Sequence, residues 1–389
     1  KTDNWQGLNT ILPLFRSQAN LVYIDPPFNT GSDFHYKDKY QDSTWLSLMS
    51  DRLQLTNNIL SSNGNFFLHL DYRANFLGRI ISDYHIGKLN NEIIWCYSRP
   101  SIKNQTNYTR LHDTVFWYIK DKNNVVFNDE LIRIPYSEST QDRNKYAAGG
   151  SKYAGGSTER VTNELGKIPE DYWYIPLPPG NDNQFMFFET QKPEQLLKRI
   201  IDGSTNVGEL IVDYFSGSAT TICTAHKLRR KWLGMEMGEH FEHKNLTRLK
   251  KVLKGDQGGI SKEKDIKWQG GGFFKYYELE QYEDVLAKSQ YQWQGKKGEN
   301  QVEQYSFLQD QKLLDAIEID YKNKNAKVVF EKLYPDVDIA ETLSNLSGKH
   351  IKQIFEDKVV FEDGSEVVYA EMTFEKYPWI KPLIWWNSK

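Results

Sequence analysis

Cysteine is nearly absent. Cys96 and Cys223 are the only two in 389 residues, and neither belongs to a Cys-x-x-Cys or Cys/His spacing. That excludes a disulfide framework and a zinc module, and leads us to expect a reduced, cytoplasmic protein that holds no metal. Long apolar runs are also missing. No stretch approaches the roughly 20 residues of a membrane span, and none reads as a signal peptide. Lys1 rather than Met stands first, which predicts natural residues before it. A surplus of one charge is missing too: 49 Lys and Arg face 52 Asp and Glu, for a net charge of −3. No bulk field draws in a polyanion, so any nucleic-acid contact has to come from local basic patches. The length allows two or three domains. Aromatics are plentiful at 14%, which suits rich cores and base stacking alike.

The run Leu21-Val22-Tyr23-Ile24-Asp25-Pro26-Pro27-Phe28-Asn29 stands out. Four apolar, strand-forming residues deliver a carboxylate, two prolines and an aromatic ring to a strand end. The prolines fix φ and remove two backbone donors. The chain therefore neither turns straight into a helix nor continues in a central ladder. The stiff tip offers the Asp25 carboxylate, the Pro26 carbonyl and the Phe28 face. That set suits a flat heterocycle with an exocyclic amino group: the ring stacks and the amino hydrogens find two acceptors.

Helix-like and strand-like stretches alternate around this run. Leu8 to Phe15 reads as a short helix. Trp45, Met49, Leu53 and Ile59 recur at helical spacing up to a stop at Asn63-Gly64. Residues 65–70 and 91–95 read as strands, with a helix around 74–83 between them. This alternation predicts a parallel sheet covered on both faces. From about Ser98 to Asn183 the texture is polar, basic and loop-rich, apart from a strand over 112–120. Its near-repeat at 145–150 and 152–156 reads either as a surface loop or as a DNA-facing segment. The α/β pattern then resumes. A helix opens at Thr190-Gln191-Lys192-Pro193-Glu194, with Thr190 or Gln191 near the cap, Pro193 in the first turn and Gly203 as the stop. Leu210-Ile211-Val212 is a buried strand ending in Asp213, and 232–236 is the next. The basic run Lys227, Arg229, Arg230 and Lys231 reads as a DNA patch or as a helix end. Residues 273–389 read as a separate α+β region.

The turn Asp213-Tyr214-Phe215-Ser216-Gly217-Ser218-Ala219-Thr220-Thr221 joins a buried strand to a helix. Doubly wound sheets bind nucleotide-like ligands at such places. It is neither a phosphate loop nor the dinucleotide fingerprint. Its glycine lets backbone approach a nucleoside and amino acid closely. Glu236, one strand later, is placed to accept from both ribose hydroxyls.

Together these pieces resemble the beta-group DNA amino-methyltransferases, which use S-adenosylmethionine (AdoMet). Asp25-Pro26-Pro27-Phe28 matches the family's catalytic tetrapeptide, and Thr2-Asp3-Asn4 is similar to its Gly-Asp-Asn turn. Thr190-Gln191-Lys192-Pro193 resembles the helix start beside the methionine end. Asp213-x-Phe215-x-Gly217-Ser218 resembles the main cofactor turn, and Glu236 the ribose carboxylate. The segment 25–31 and the segment 271–280 look most like modification (Mod) subunits of type III restriction-modification systems. Three departures are visible: Thr2 and Ala219 where the family usually has Gly, and Phe28 where Tyr is more common. A left-handed backbone at Ala219 would cost roughly 1–2 kcal/mol.

The resemblance implies an α/β, Rossmann-like AdoMet-dependent sheet with an inserted DNA target-recognition segment and a C-terminal α+β region. The expected domains are 1–98 (catalytic half), 99–185 (recognition), 186–258 (AdoMet half) and 259–389 (DNA or partner contacts). Asp25, Pro26, Pro27 and Phe28 would be catalytic. Asp3, Thr190, Lys192, Asp213, Phe215, Gly217, Ser218 and Glu236 would bind cofactor. Arg99, Lys103, Arg110, Arg143, Lys145, Lys152 and Arg160 would contact double-stranded DNA. The implied activity is methylation of adenine N6 on a flipped base. Two alternatives stay open: a cytosine-N4 enzyme, and a recognition subunit of a defence complex with weak or lost methylation. Residues 286–389 are open between binding a Res-type nuclease/helicase subunit, extending DNA contacts and forming a homodimer.

Overall fold

The structure is a computed structural model. It describes residues 1–29, 38, 40–98, 108–137, 163–188, 190–279, 289–291, 306–308, 317–320, 325–328, 338–372 and 376–377. The chain divides into two compact units. One comprises Lys1, Asp3–Trp5 and Ser17–Tyr276; the other comprises Thr2, Gln6–Arg16 and Tyr277–Lys389.

The first unit is built on a seven-stranded sheet. Its strands are β1 (Ala19–Ile24), β2 (Leu60–Leu70), β3 (Lys88–Cys96), β4 (His112–Ile119), β5 (Tyr172–Tyr174), β6 (Leu210–Asp213) and β7 (Lys231–Gly234). Their spatial order is β5-β3-β4-β2-β1-β6-β7. Neighbours are parallel except β4, which runs against both β2 and β3. The expectation of a wholly parallel sheet is corrected there. A strand buried on both faces reads alike in either direction, so its apolar run carries no signal of its sense.

Helices cover both faces. Helix α2 (Asp42–Ile59) follows β1 and α3 (Asn75–His85) follows β2, while α1 (Asn4–Phe15) belongs for the most part to the second unit. Trp45, Met49 and Leu53 of α2 are wholly buried. Tyr118 of β4 donates to the Asp83 carboxylate of α3 at 2.8 Å. On the other face, after a short α4 (Asp129–Ile132), lies α5 (Glu194–Ser204). Its Leu196, Leu197, Ile200 and Ile201 pack with Leu21, Tyr23, Phe67, Trp95 and Trp117. Each such aliphatic side chain contributes about 1.5–3 kcal/mol on burial. Helices α6 (Thr220–Lys227) and α7 (Thr247–Leu253) complete the unit. No helix among the described residues is long and apolar enough to cross a membrane.

Two boundaries differ from the sequence reading. Helix α2 stops at Ile59, and Asn63-Gly64 lie inside β2. They are absorbed in an irregular register, where Ala19 faces Leu60 but Leu21 faces Asn65. A Cβ on Gly64 would stand 2.8 Å from the Ala19 carbonyl oxygen, so glycine is needed for close approach there rather than to end a helix. Pro193 sits at the cap of α5 in extended backbone (ψ 141), not in the first turn, and α5 runs through Gly203 to Ser204. The first amide of α5 donates to the Gln184 side chain at 3.1 Å instead of to Thr190 or Gln191.

The second unit holds strand pairs β8 (Ser289–Tyr291) with β9 (Ser306–Leu308) and β10 (Ile317–Asp320) with β11 (Asn325–Val328). It also holds α8 (Ile339–Ser347) and an antiparallel sheet of β12 (Ile351–Ile354), β13 (Lys358–Phe361) and β14 (Glu366–Val368). Asp338 caps α8 by accepting from the Glu341 amide at 3.0 Å. Leu343, Val359, Phe361 and Val367 form its core.

Candidate active site

β1 and β6 run side by side, with Leu21 opposite Ile211 and Val22 opposite Val212. The chain leaves β1 for β2 on one side and leaves β6 for β7 on the other. The crevice between them is the switch point of the sheet, outside the carboxyl ends of its strands. Asp25 follows β1 and Asp213 closes β6. The charges of Asp25 and Glu236 both act on Asp213.

The tip after β1 is held rigidly. Trp45 Nε1 donates to the Pro27 carbonyl at 2.8 Å. Asn29 is left-handed (φ 58), and its amide donates to Asp38 at 2.7 Å while its side-chain oxygen accepts from the Tyr40 amide at 2.8 Å. Pro26 is buried, and Pro27 and Phe28 are half-buried. Asp25 Oδ2 accepts from Lys192 Nζ at 2.6 Å, whereas Oδ1 is buried with no hydrogen-bond partner among the described residues. Lys192, expected at the cofactor, thus meets the carboxylate of the Asp25-Pro26-Pro27-Phe28 tip. Its ammonium also donates to the Thr190 carbonyl at 3.2 Å and lies 5.1 Å from the Phe28 ring centre.

Sequence reasoning missed the support under this tip. His69 is wholly buried, and its ring stacks on Phe28 with centroids 6.0 Å apart. Its Nδ1 lies 2.8 Å from the Tyr23 hydroxyl and its Nε2 lies 3.1 Å from Asp113 Oδ2. Burial, and then the charges of Asp25 and Asp213, hold the Tyr23 hydroxyl protonated. The Asp113 carboxylate can only accept, so Nε2 donates to it, and in the neutral ring Nδ1 is then left to accept from the Tyr23 hydroxyl. The available signal was a titratable residue inside the apolar run Phe66–Leu70.

The turn after β6 presents the remaining residues. Burial raises the Asp213 carboxyl to about 7; a Thr221 hydrogen bond and the Phe215 amide oppose this, and the Asp25 and Glu236 charges add to it. The Phe215 amide donates to Asp213 Oδ1 at 3.0 Å. Gly217 takes φ 48 and donates its amide to Glu236 Oε2 at 2.8 Å. The Met237 and Gly238 amides donate to Glu236 Oε1 at 3.0 and 2.8 Å. Three of about four acceptor positions on Glu236 are thus taken by its own loops. Ser218 is buried, its hydroxyl 3.0 Å from that of Thr220. Ala219 does occupy the left-handed region (φ 64, ψ 23). Asp3 comes to the same edge: Asn4 donates to the Tyr214 carbonyl at 3.1 Å, and Arg52 donates to both Asn4 and Asp3 at 2.5 and 3.2 Å.

A buried ion cluster supports the turn from behind. Glu194 accepts from Lys227 at 2.8 Å and from Arg248 at 3.0 Å, and Arg248 also donates to the Ser218 carbonyl at 3.0 Å. Arg230 is buried too, donating to the Thr205 carbonyl and paired with Asp202. Lys227 and Arg230 thus serve packing, not a DNA-facing patch. Of the residues expected to meet DNA, Arg110 is exposed and its guanidinium stacks 4.0 Å from the Tyr72 ring centre. Arg99, Lys103, Arg143, Lys145, Lys152 and Arg160 lie outside the described residues.

Known proteins are similar to this chain over part of its length. The probable type III restriction-modification enzyme HindVI Mod subunit of Haemophilus influenzae is 28% identical over 75% of this chain and 54% of its own. This chain thus spans about half the length of that relative. The DNA adenine methyltransferase YhdJ of Escherichia coli is 23% identical over 63% of this chain and 84% of its own. Among solved structures, the M1.HpyAVI–SAM complex aligns with a TM-score of 0.45 and 18% identity, covering 64% of this chain and 96% of that one. The DNA methylase family model matches residues 19–248, from β1 through the turn after β6 and into α7. With more than half of its length so matched, the chain belongs to the N6/N4 DNA methylase family.

Proposed function

We propose that this chain methylates the N6 amino group of adenine in duplex DNA, on a base turned out of the helix, as the modification component of a restriction-modification or phage-defence system. The observation that carries the reading is Asp25 Oδ1, a buried acceptor without a partner among the described residues, at the strand edge shared with the Asp213–Ser218 turn. An adenine amine is a poor nucleophile because its lone pair is delocalised into the ring. Asp25 Oδ1 and the Pro26 carbonyl accept its two hydrogens and favour a pyramidal nitrogen. A carboxylate is far too weak a base to deprotonate a neutral amine. Asp25 instead stabilises the positive charge that develops on nitrogen. Phe28, backed by His69, offers a stacking face that offsets part of the unstacking cost.

The residues fit AdoMet. The Asp25 and Glu236 charges both act on Asp213, and two such charges near one another favour a ligand with a positive charge, as a sulfonium has. Asp3, Thr190, Asp213, Phe215, Gly217 and Ser218 would hold it, and Glu236 keeps about one acceptor position for a ribose hydroxyl. Bound there, AdoMet supplies an electrophilic methyl group. Residues 99–185 would read the target sequence, with Arg110 on phosphate or guanine. Adenine is favoured over cytosine by the relative named as an adenine methyltransferase. A Res-type nuclease partner is favoured by the Mod subunit relative.

The test is methylation of duplex DNA with labelled AdoMet, followed by mass spectrometry of the nucleosides. N6-methyladenine is expected, and Asp25→Ala should abolish it while sparing AdoMet and DNA binding. N4-methylcytosine would correct the base. Equal activity in both proteins would refute the role of Asp25.

A further inference from the structure

The Asp25 carboxylate is divided between two environments. Oδ2 is bound by Lys192 Nζ at 2.6 Å, in a charge-assisted contact, and Oδ1 is buried and unpartnered among the described residues. Lys192 is only 7% exposed. It comes from the segment before α5, which packs on the same sheet face as Tyr23 and Phe67. Its second bond, to the Thr190 carbonyl at 3.2 Å, fixes the ammonium where the chain turns into α5. The groups around this contact are Tyr23 on β1, His69 on β2, Asp113 on β4 and Asp213 on β6.

We propose that Lys192 is a positioning residue for methyl transfer: it pins Asp25 through Oδ2 and so presents Oδ1 alone to the target amine. The inference rests on the amino-methyltransferase reading and reassigns Lys192 from the cofactor to the acceptor pair. A carboxylate free to turn about its last torsion would offer either oxygen in a range of directions. One ammonium on Oδ2 removes that freedom. Lys192 also lies over the Phe28 ring at 5.1 Å, so one side chain ties the acceptor to the stacking face.

Steady-state methylation and AdoMet calorimetry on the full chain test this, with Lys192→Met, Lys192→Gln and Lys192→Arg. Loss of positioning predicts a kcat lowered by about 100-fold in the Met and Gln variants, the scale of a small misplacement at a reacting centre. AdoMet Kd and the KM for DNA should stay within about threefold of wild type, and Lys192→Arg should recover much of kcat by restoring a cation on Oδ2. An AdoMet Kd raised more than about tenfold with kcat retained would return Lys192 to the cofactor site and overturn the proposal. Unchanged kcat in Lys192→Met with unchanged Kd would overturn it as well. A wild-type chain that methylates no DNA would bring down the underlying reading, and the proposal with it. Thermal melts of the Met and Gln variants matching wild type tie a lost kcat to positioning, and a kcat lost only in a variant that melts early counts against it.

Discussion

Replacing Glu194 by Gln should be among the most damaging isosteric changes in the first unit. Glu194, Lys227 and Arg248 have side chains 1%, 0% and 3% exposed. The cluster holds one negative charge and two positive ones. Removing the carboxylate charge leaves two desolvated cations without a counter-charge, which costs about 3–5 kcal/mol. Lys227→Met removes the surplus cation instead and leaves Glu194 paired with Arg248. Its cost is that of lost hydrogen bonds to a charged group, about 1.5–3 kcal/mol. The double variant should lie within about 1 kcal/mol of Glu194→Gln alone, because the second change removes one of the stranded charges. Equilibrium urea unfolding followed by tryptophan fluorescence reads this directly, since Trp232 and Trp268 pack against the neighbouring Ala219–Val252 cluster. Arg248 also holds the Ser218 carbonyl, so Glu194→Gln should weaken AdoMet binding more than Lys227→Met does. If Lys227→Met proves the more destabilising of the two, the charge count is the wrong account of this cluster.

Two further outcomes follow from the cofactor turn. Ala219→Gly relieves a left-handed backbone worth about 1–2 kcal/mol, but loses a buried methyl worth about 0.8 kcal/mol and loosens the unfolded chain by about 0.4–1 kcal/mol. The terms nearly cancel, so unfolding midpoints should change little. A gain or loss above about 2 kcal/mol would show that one of these terms is misjudged. Asp213 titrates near 7 in the folded chain because it is buried, above its unfolded value of about 3.9. The folded state therefore binds more protons across that interval, and the stability from this group falls as pH rises through it. Asp213→Asn should gain on wild type in melting temperature between pH 5 and 8. A difference that stays constant over that range would exclude the titration of Asp213 as its source.

Much of the site was legible in one dimension because its parts are local. A strand ending in Asp25-Pro26-Pro27-Phe28 and a glycine turn ending in Ser218 are each written within about ten residues, by apolar run and turn chemistry. The left-handed strain at Ala219 could also be anticipated, since it depends on one residue and its turn. Pairing was not legible. That β1 lies between β2 and β6, and that β4 is reversed, follows from which apolar faces bury each other, and buried strands read alike in every order. Nor could Lys192 be assigned to Asp25 from 167 residues away, or Lys227 and Arg230 be told from a solvated basic run. A charge declares itself buried only once a carboxylate from another element closes over it. Residue types thus determined the chemistry available to this protein, and tertiary packing decided which groups meet, because long-range contact depends on burial shared between segments that the chain keeps apart.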